Sequence, residues 1–598
     1  MQILLFILLF LILVFLPGFL VYKLIAGPKE ERALFYLPIS FTFGLGFFSL
    51  ISTSAYFFNF SWQNFNLVYS LSLVSLVAGF LYKKKKLTLQ FEFDFVERLV
   101  LFLSLALTLY TMFIHPVLAY TDAPFHLAEI RKLVEEPVIS PSEASLPTGK
   151  INPSYGFNSW FLLLAFLQRL SGLELFQLWD RIALVLVPTY ILAVYFFISK
   201  LISDKSQTLT VLLVYLVFVI LLNNSVDFRT IALPERIVRL ILLTTSLGLF
   251  LTYLKNKNFL SLTSLGLVSF TITTIHLYAW VHLLLAVGAF SLANFIFKNY
   301  EDFKNSLKAF FIILLAPAPY LAVKLANVAN VVLPDAFAVN TSTLKLEYLF
   351  RSKVGYTLIL LLVLVYLFRK KLSEEKWLLF STATAVTSLF ILFNPILFPI
   401  VAGIISVPYT QRLSYLIYTE IILGSFLYLF VINKFLVRAE KKIFLALAVA
   451  ITAGALLIPS TNFPGLNVFS MKGNLKFAQD YQEPIFDFIN KNLPKKKVYV
   501  ANYDLAYWIP AYSYNYILMT YPDHTTFTIN HKPRIETLKN ILDPDFSIEG
   551  TVTYLDQYSV NYVVLDKVKE EKVKKFGQDT RFKLIYEDSW YLIYSFNE

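Results

Sequence analysis

Arg98-Leu-Val-Leu-Phe-Leu-Ser-Leu-Ala-Leu-Thr-Leu-Tyr-Thr-Met-Phe-Ile-His115, followed shortly by Tyr120-Thr-Asp-Ala-Pro-Phe-His-Leu-Ala-Glu-Ile-Arg-Lys132, sets an apolar run against a polar, Pro-containing helix start. The first stretch has close to the roughly 20 apolar residues needed to cross a bilayer. The second has the start signal of a helix outside it, with Thr121 or Asp122 as a cap and Pro124 in the first turn. The same alternation runs through most of the chain. Of 598 residues, 57% are hydrophobic, 17% aromatic and 15% charged, and the mean hydropathy is +0.63. A soluble chain of this size does not have that balance, so the fold class is an α-helical polytopic membrane protein.

Basic clusters fall at every second turn between apolar runs: Lys23/Lys29/Arg32, Lys83 to Lys86, Lys200/Lys205, Lys255/Lys257, Lys298/Lys304/Lys308, Arg369/Lys370/Lys371/Lys376 and Lys434/Arg438/Lys441/Lys442. The positive-inside rule assigns them to the cytoplasm and leaves segments 58–66, 116–157, 223–236, 326–352 and 394–412 outside. About fourteen transmembrane helices are then expected: 3–22, 35–57, 66–82, 98–115, 178–199, 208–222, 237–254, 259–275, 278–297, 309–325, 354–368, 377–393, 413–433 and 443–459. An even number puts both ends of the chain on the extracytoplasmic side. The first apolar stretch has no basic region before it and no A-x-A-like site, and reads as a retained helix. Phe157 to Leu170 is short for a crossing and reads as an interfacial or re-entrant helix.

The composition changes near residue 460. Residues 460–598 hold 16 basic and 17 acidic groups, so the net excess of +12 lies in the apolar part. Its basic residues sit in short turns rather than one patch, which argues against nucleic acid as a partner. Absence of cysteine removes thiolate chemistry and Cys-ligated metals. The tail alternates β-rich runs, Lys497–Ala501, Tyr516–Thr520, Asn561–Leu565, Phe582–Tyr586 and Trp590–Tyr594, with helical stretches Ile535–Leu542 and Lys567–Phe576. It reads as a small extracytoplasmic α/β domain. Three domains are expected: 1–97, an N-terminal three-helix membrane addition; 98–459, the transmembrane catalytic domain, with first outside loop 116–157; and 460–598, the α/β domain.

Ionisable side chains at span ends cost several kcal/mol to desolvate, so their clusters are the candidate sites. Asp122, His126 and Glu129 are spaced to face one spot on the helix after Thr121, or to be a cap and a solvated face. Asn223-Asn-Ser-Val-Asp-Phe-Arg-Thr-Ile-Ala-Leu-Pro-Glu-Arg-Ile-Val-Arg239 brings Glu235, Arg236 and Arg239 to the start of a span, where snorkelling arginines are also common. His276 lies in a tight turn, and His282 is too far along for an i, i+4 metal pair. Asn394-Pro-Ile-Leu-Phe-Pro399 leads to Val407-Pro-Tyr-Thr-Gln-Arg-Leu-Ser-Tyr415, where Arg412 reads as an isolated guanidinium suited to a lipid phosphate. Asn59-Phe-Ser, Asn223-Asn-Ser and Asn340-Thr-Ser are sequons on expected outside loops.

Thr-Asp-Ala-Pro-Phe-His-Leu-Ala-Glu-Ile after an in-to-out span resembles the first-loop motif of the GT-C superfamily of integral-membrane glycosyltransferases, including the archaeal oligosaccharyltransferase catalytic subunits. Pro147-Thr-Gly-Lys-Ile-Asn-Pro-Ser-Tyr-Gly156, the Asn394-Pro segment with Arg412, and the tail fit the same pattern over residues 98–598. The oligosaccharyltransferase Trp-Trp-Asp-Tyr-Gly signature is absent; Ser589-Trp-Tyr-Leu-Ile is the nearest stretch, and Asp335 and Glu347 are the carboxylates of loop 326–352. The resemblance therefore implies transfer of a single sugar from a polyprenyl-phosphate donor to an acceptor hydroxyl on a glycan, lipid or protein, at the extracytoplasmic face of the cell membrane. It implies Asp122 as the base of an inverting reaction and Arg412 and Arg236 as donor-phosphate contacts, with His126, Glu129 and His276 secondary. The adjacent acidic pair of several relatives is missing, so a divalent cation, Mg²⁺ or Mn²⁺, stays an open call and no cofactor is certain. An oligosaccharyltransferase-like en bloc transferase is the alternative. A flippase or transporter is another, though no inverted repeat favours it.

Overall fold

The computed structural model describes residues 2–26, 32–83, 92–113, 122–152, 155–217, 219, 228, 230–326, 353–370, 372, 374–405, 407–435, 438–457, 482–521, 529–569 and 574–597. Several expected features lie outside them: Thr121, most of the 223–229 segment including Arg229, nearly all of loop 326–352 with Asp335 and Glu347, the sequons at Asn223 and Asn340, and the 460 junction.

The apolar runs form helices, as their near-continuous Leu, Ile, Val and Phe content requires in a medium that cannot satisfy free backbone groups. Among the described residues, nine helices are long and apolar enough to cross a membrane. They are α1 (Gln2–Ile25), α2 (Ala33–Phe57), α3 (Trp62–Tyr82), α7 (Leu175–Leu201), α9 (Pro234–Asn256), α11 (Leu277–Ile296), α12 (Tyr300–Lys324), α14 (Lys376–Phe393) and α15 (Tyr409–Ile432). The remaining expected crossings are also helices: α4 (Phe95–Phe113), α8 (Lys205–Val217), α10 (Phe259–Ile275), α13 (Lys353–Leu367) and α16 (Arg438–Leu457). The chain is thus a multi-pass membrane protein; each of the fourteen apolar runs is largely helical over its described residues, and nine helices among the described residues meet the length and apolarity of a full span.

Two helices belong to the connecting segments: α5 (Ala123–Glu135) and α6 (Ser159–Ser171). Asn158 starts α6 by accepting hydrogen bonds at Oδ1 from the backbone N–H groups of Trp160 and Phe161, at 2.9 and 3.3 Å. Gly172, at φ +64°, ends it. Its 13 residues rise about 20 Å, too little for a crossing. Nearly all of them are buried, packed on α1, α2 and α5. Hydroxyls of Ser49, Ser159 and Thr274 tie α2, α6 and α10 together at 2.9 to 3.1 Å. The N-terminal helices therefore pack into the main bundle.

The tail holds α17 (Glu483–Asn492), β1 (Val498–Val500), β2 (Tyr516–Ile517), α18 (Lys532–Leu542), α19 (Ile548–Gln557), β3 (Val560–Asp566), β4 (Phe582–Glu587) and β5 (Tyr591–Phe596). One sheet has the order β2-β1-β3-β5-β4; β1 is parallel to β2 and β3, and β5 antiparallel to β3 and β4. All five β-rich runs contain a strand, although that of Tyr516–Thr520 is confined to Tyr516–Ile517. The expected helix over Lys567–Phe576 is not one where it is described: Lys567–Lys569 is a turn and a 3₁₀ turn begins at Lys575. The Lys/Glu-rich composition there mimics helix propensity, but Asp566 Oδ1 accepts from the N–H groups of Val568 and Lys569 and closes a turn.

The sheet domain sits on α5. Arg131 Nε donates to Ala511 O at 3.0 Å, Tyr514 Oη to Glu136 Oε1 at 2.6 Å, and Ile517 N to Ser145 O at 2.9 Å, with a Lys495–Glu135 ion pair at 2.7 Å.

Candidate active site

Asp122 stands exposed at the N-terminus of α5, in the cap position, but its carboxylate makes no cap hydrogen bond to the helix. The cap expected of it is therefore not made, although Pro124 falls in the first turn as expected. The buried face of α5 carries His126, whose ring lies 5.1 Å from Tyr155 and 5.3 Å from Phe161.

Glu129 does not join Asp122. It is buried against segment 140–146, where Oε1 accepts from Ala144 N at 3.4 Å. Lys132, one turn on, donates to the carbonyls of Ser140 and Ser142 at 2.8 and 2.6 Å. Burial pushes the Glu129 carboxyl up to about 7, opposed by the Lys132 charge, and burial likewise lowers the Lys132 ammonium. These two groups hold the loop that carries Tyr155 against α5.

Four further segments converge on Tyr155. The turn between α10 and α11 supplies His276, whose Nε2 lies 3.0 Å from the Tyr409 hydroxyl and 3.4 Å from that of Tyr155. The start of α15 supplies Tyr409 and Arg412, three residues apart and so on one face, with the guanidinium 4.7 Å over the Tyr409 ring. The start of α9 supplies Glu235, paired with Arg412 at 2.5 Å. Tyr278 on α11 donates to the Glu235 carbonyl at 2.9 Å and stacks on Tyr409 at 4.8 Å.

Arg412 is thus not the isolated cation that its sequence surroundings suggest. Glu235 lies 177 positions earlier in the sequence, and a pairing so remote leaves no local pattern. Arg236 adds a second positive charge beside Glu235, and Arg239, over the Tyr415 ring at 4.7 Å, a third. Arg239 lies in a π-helical stretch, Ile237–Leu243, an irregularity that often marks functional positions.

Asp122 belongs to this group electrostatically. Burial raises the Tyr155 phenol well above its usual range, and the charges of Tyr409, Asp122 and Glu235 add to the effect. From the tail, Tyr507 is raised by burial and next by Asp122. Asp122, His126, His276, Arg412 and Arg236 therefore gather around Tyr155, Tyr409 and Glu235, while Glu129 does not. Lys324, at the end of α12, contributes a further charge felt at His276. Tyr155 and Tyr409 were overlooked because phenols abound in a chain with 36 tyrosines. Among the described residues no group of three or more His, Asp and Glu is placed to hold a metal ion.

No family model matches the chain, and no curated protein matches it. Among solved structures it is similar to an oligosaccharyltransferase of Archaeoglobus fulgidus tethered to an acceptor peptide containing the NVT sequon, with a TM-score of 0.46 and 12% identity over 80% of this chain and 70% of the other. The apo form of that enzyme gives 0.45, and archaeal oligosaccharyltransferase AglB from the same organism, in complex with an inhibitory peptide and a dolichol-phosphate, gives 0.44, both at the same identity and coverage.

Proposed function

We propose that the chain is a membrane glycosyltransferase that moves a single sugar from a polyprenyl-phosphate donor to an acceptor hydroxyl, with inversion at the anomeric carbon. The observation that carries this reading is the convergence, at one end of an apolar helix bundle, of the exposed Asp122 carboxylate with the guanidiniums of Arg412, Arg236 and Arg239 around Glu235. A lipid phosphate can reach such a cluster with its tail between helices.

In the reaction, the acceptor oxygen attacks C1 of the sugar while Asp122 takes its proton. The bond from C1 to the phosphate oxygen breaks, and its electron pair leaves with the polyprenyl phosphate. Arg412, with Arg236, stabilises the charge that develops there. Tyr409 and Glu235 hold the Arg412 plane, and His276 holds Tyr409. The α/β domain closes over α5 and supports the acceptor beside Asp122.

Purified protein in nanodiscs, supplied with polyprenyl-phosphate sugars and a panel of glycan, lipid and peptide acceptors, tests this. Release of polyprenyl phosphate coupled to glycosylated acceptor is expected. Transport of an intact lipid-linked sugar across the bilayer without its consumption overturns the reading in favour of a flippase.

A further inference from the structure

His276 presents one ring nitrogen, Nε2, to two phenols, Tyr409 at 3.0 Å and Tyr155 at 3.4 Å. A ring nitrogen offers a single proton or a single lone pair. The two phenols also hydrogen-bond to each other, and Tyr155, at the longer distance from His276, keeps a lone pair on its oxygen for something else. Tyr155 is also partly exposed, and its ring is fixed from three sides: by Phe125 at 5.2 Å, by His126 at 5.1 Å and by Phe161 at 5.9 Å. A hydroxyl on a rigidly packed ring, with spare capacity, is arranged to meet a ligand.

Its position says which part of the ligand. In a displacement at C1 the attacking oxygen, C1 and the leaving phosphate oxygen lie in line, so the sugar ring lies between the base and the phosphate clamp. Tyr155 lies within range of the Asp122 charge, and it touches His276, which holds Tyr409 beside Arg412 and its partner Glu235.

We propose that Tyr155, backed by His276 and Tyr409, forms the subsite for the transferred sugar and hydrogen-bonds one of its hydroxyls, so that it selects a glycosylated lipid over the bare lipid phosphate. This rests on the glycosyl-transfer reading above. Phosphate recognition belongs to the arginines, sugar recognition to this phenol, and the two are separable by variants.

Binding of synthetic polyprenyl phosphate is compared with binding of polyprenyl-phosphate-linked glucose, mannose, galactose and N-acetylglucosamine, using the full-length protein in nanodiscs. Wild type is expected to bind at least one glycosylated lipid more tightly than the bare phosphate. Tyr155→Phe removes one oxygen and keeps every ring contact. It should weaken the preferred glycosylated lipid about tenfold, the worth of one hydrogen bond to a site built for it, and leave the bare phosphate unchanged. Phe125→Leu, which loosens the packing of the Tyr155 ring, should give a smaller loss of the same selective kind, and it stands in if the first variant does not fold. Equal loss for both lipids, or no loss for either, overturns the sugar subsite while the transferase reading stands on wild-type turnover. Wild type that binds neither class of lipid overturns both.

Discussion

Asp122→Asn separates chemistry from structure more cleanly than most such exchanges, because the carboxylate makes no cap hydrogen bond and Asn is nearly isosteric. Thermal stability should stay within error, lipid binding should persist, and turnover should fall by roughly 10²–10⁴-fold, the range for loss of a general base. Normal turnover would remove Asp122 from the reaction. Arg412 requires a different design, since its removal takes the paired guanidinium from Glu235, whose side chain is only 14% exposed. Arg236 and Arg239 still neutralise that carboxylate, so Arg412→Ala should cost only about 1 kcal/mol of stability. Arg412→Ala combined with Glu235→Gln should recover that stability without recovering transfer, which we expect to be down on the order of 10²-fold. Recovery of both would make Arg412 a structural partner alone. Arg412→Lys keeps the charge and loses the planar stack on Tyr409, and should be impaired as well. Asp122 and Arg412 were legible in the sequence because a charge at the end of an apolar run stands out. Tyr155 and the pairing of Glu235 with Arg412 were not, because a common phenol and a remote ion pair acquire meaning only from partners more than a hundred residues away.

Helix α5 carries a titration that can be read at the level of the element. Burial raises Glu129 to about 7, above the usual carboxyl value, so the folded chain binds this proton more tightly than the unfolded chain does. Its contribution to stability is present below the unfolded value near 4.5 and is lost as pH rises through about 7. Thermal stability measured from pH 5 to 8 should therefore contain a downward component that Glu129→Gln removes; an unchanged profile in the variant would show that another group is responsible. Close helix approach supplies a second test. A Cβ on Gly44 would lie 1.9 Å from the carbonyl oxygen of Val14, and one on Gly18 1.7 Å from that of Ser40. Helices α1 and α2 meet backbone to backbone, as small residues permit in membranes. Gly44→Ala should force them apart and lower the melting temperature markedly, whereas Gly79→Ala, with open space around its Cβ, should not. Glycines this far apart in sequence carry no pairing signal, although both helices were evident from their apolar length alone.

At the scale of the whole molecule, apolar runs and β-rich runs translated directly into helices and strands, since each is a local pattern with a fixed period or length. The turn at Lys567–Lys569 escaped that reading because side-chain capping by Asp566 overrides propensity. What no local pattern contained is the seating of the sheet domain on α5, made by Arg131, Glu135 and Glu136 from one segment and Lys495, Ala511 and Tyr514 from the other. That contact turns the orientation in the membrane into a single question. Whichever face bears the tail also bears Asp122, because α5 and the sheet domain are joined by hydrogen bonds and cannot lie on opposite sides of a bilayer. By the positive-inside rule the Lys/Arg clusters at alternate turns predict that this face is the outer one. Protease added to intact spheroplasts should then remove the tail, beginning at the mostly exposed residues 491–496 before β1, while cytoplasmic markers survive. The same preparation, labelled with a membrane-impermeant reagent, should modify a cysteine placed at the exposed Lys150 of the loop after α5, since the natural chain has no cysteine to compete. Cleavage and labelling that both require permeabilisation would invert the topology, and would move the reaction to the cytoplasmic leaflet with its residues intact. Cleavage without labelling would instead separate the tail from α5 and contradict the interface itself.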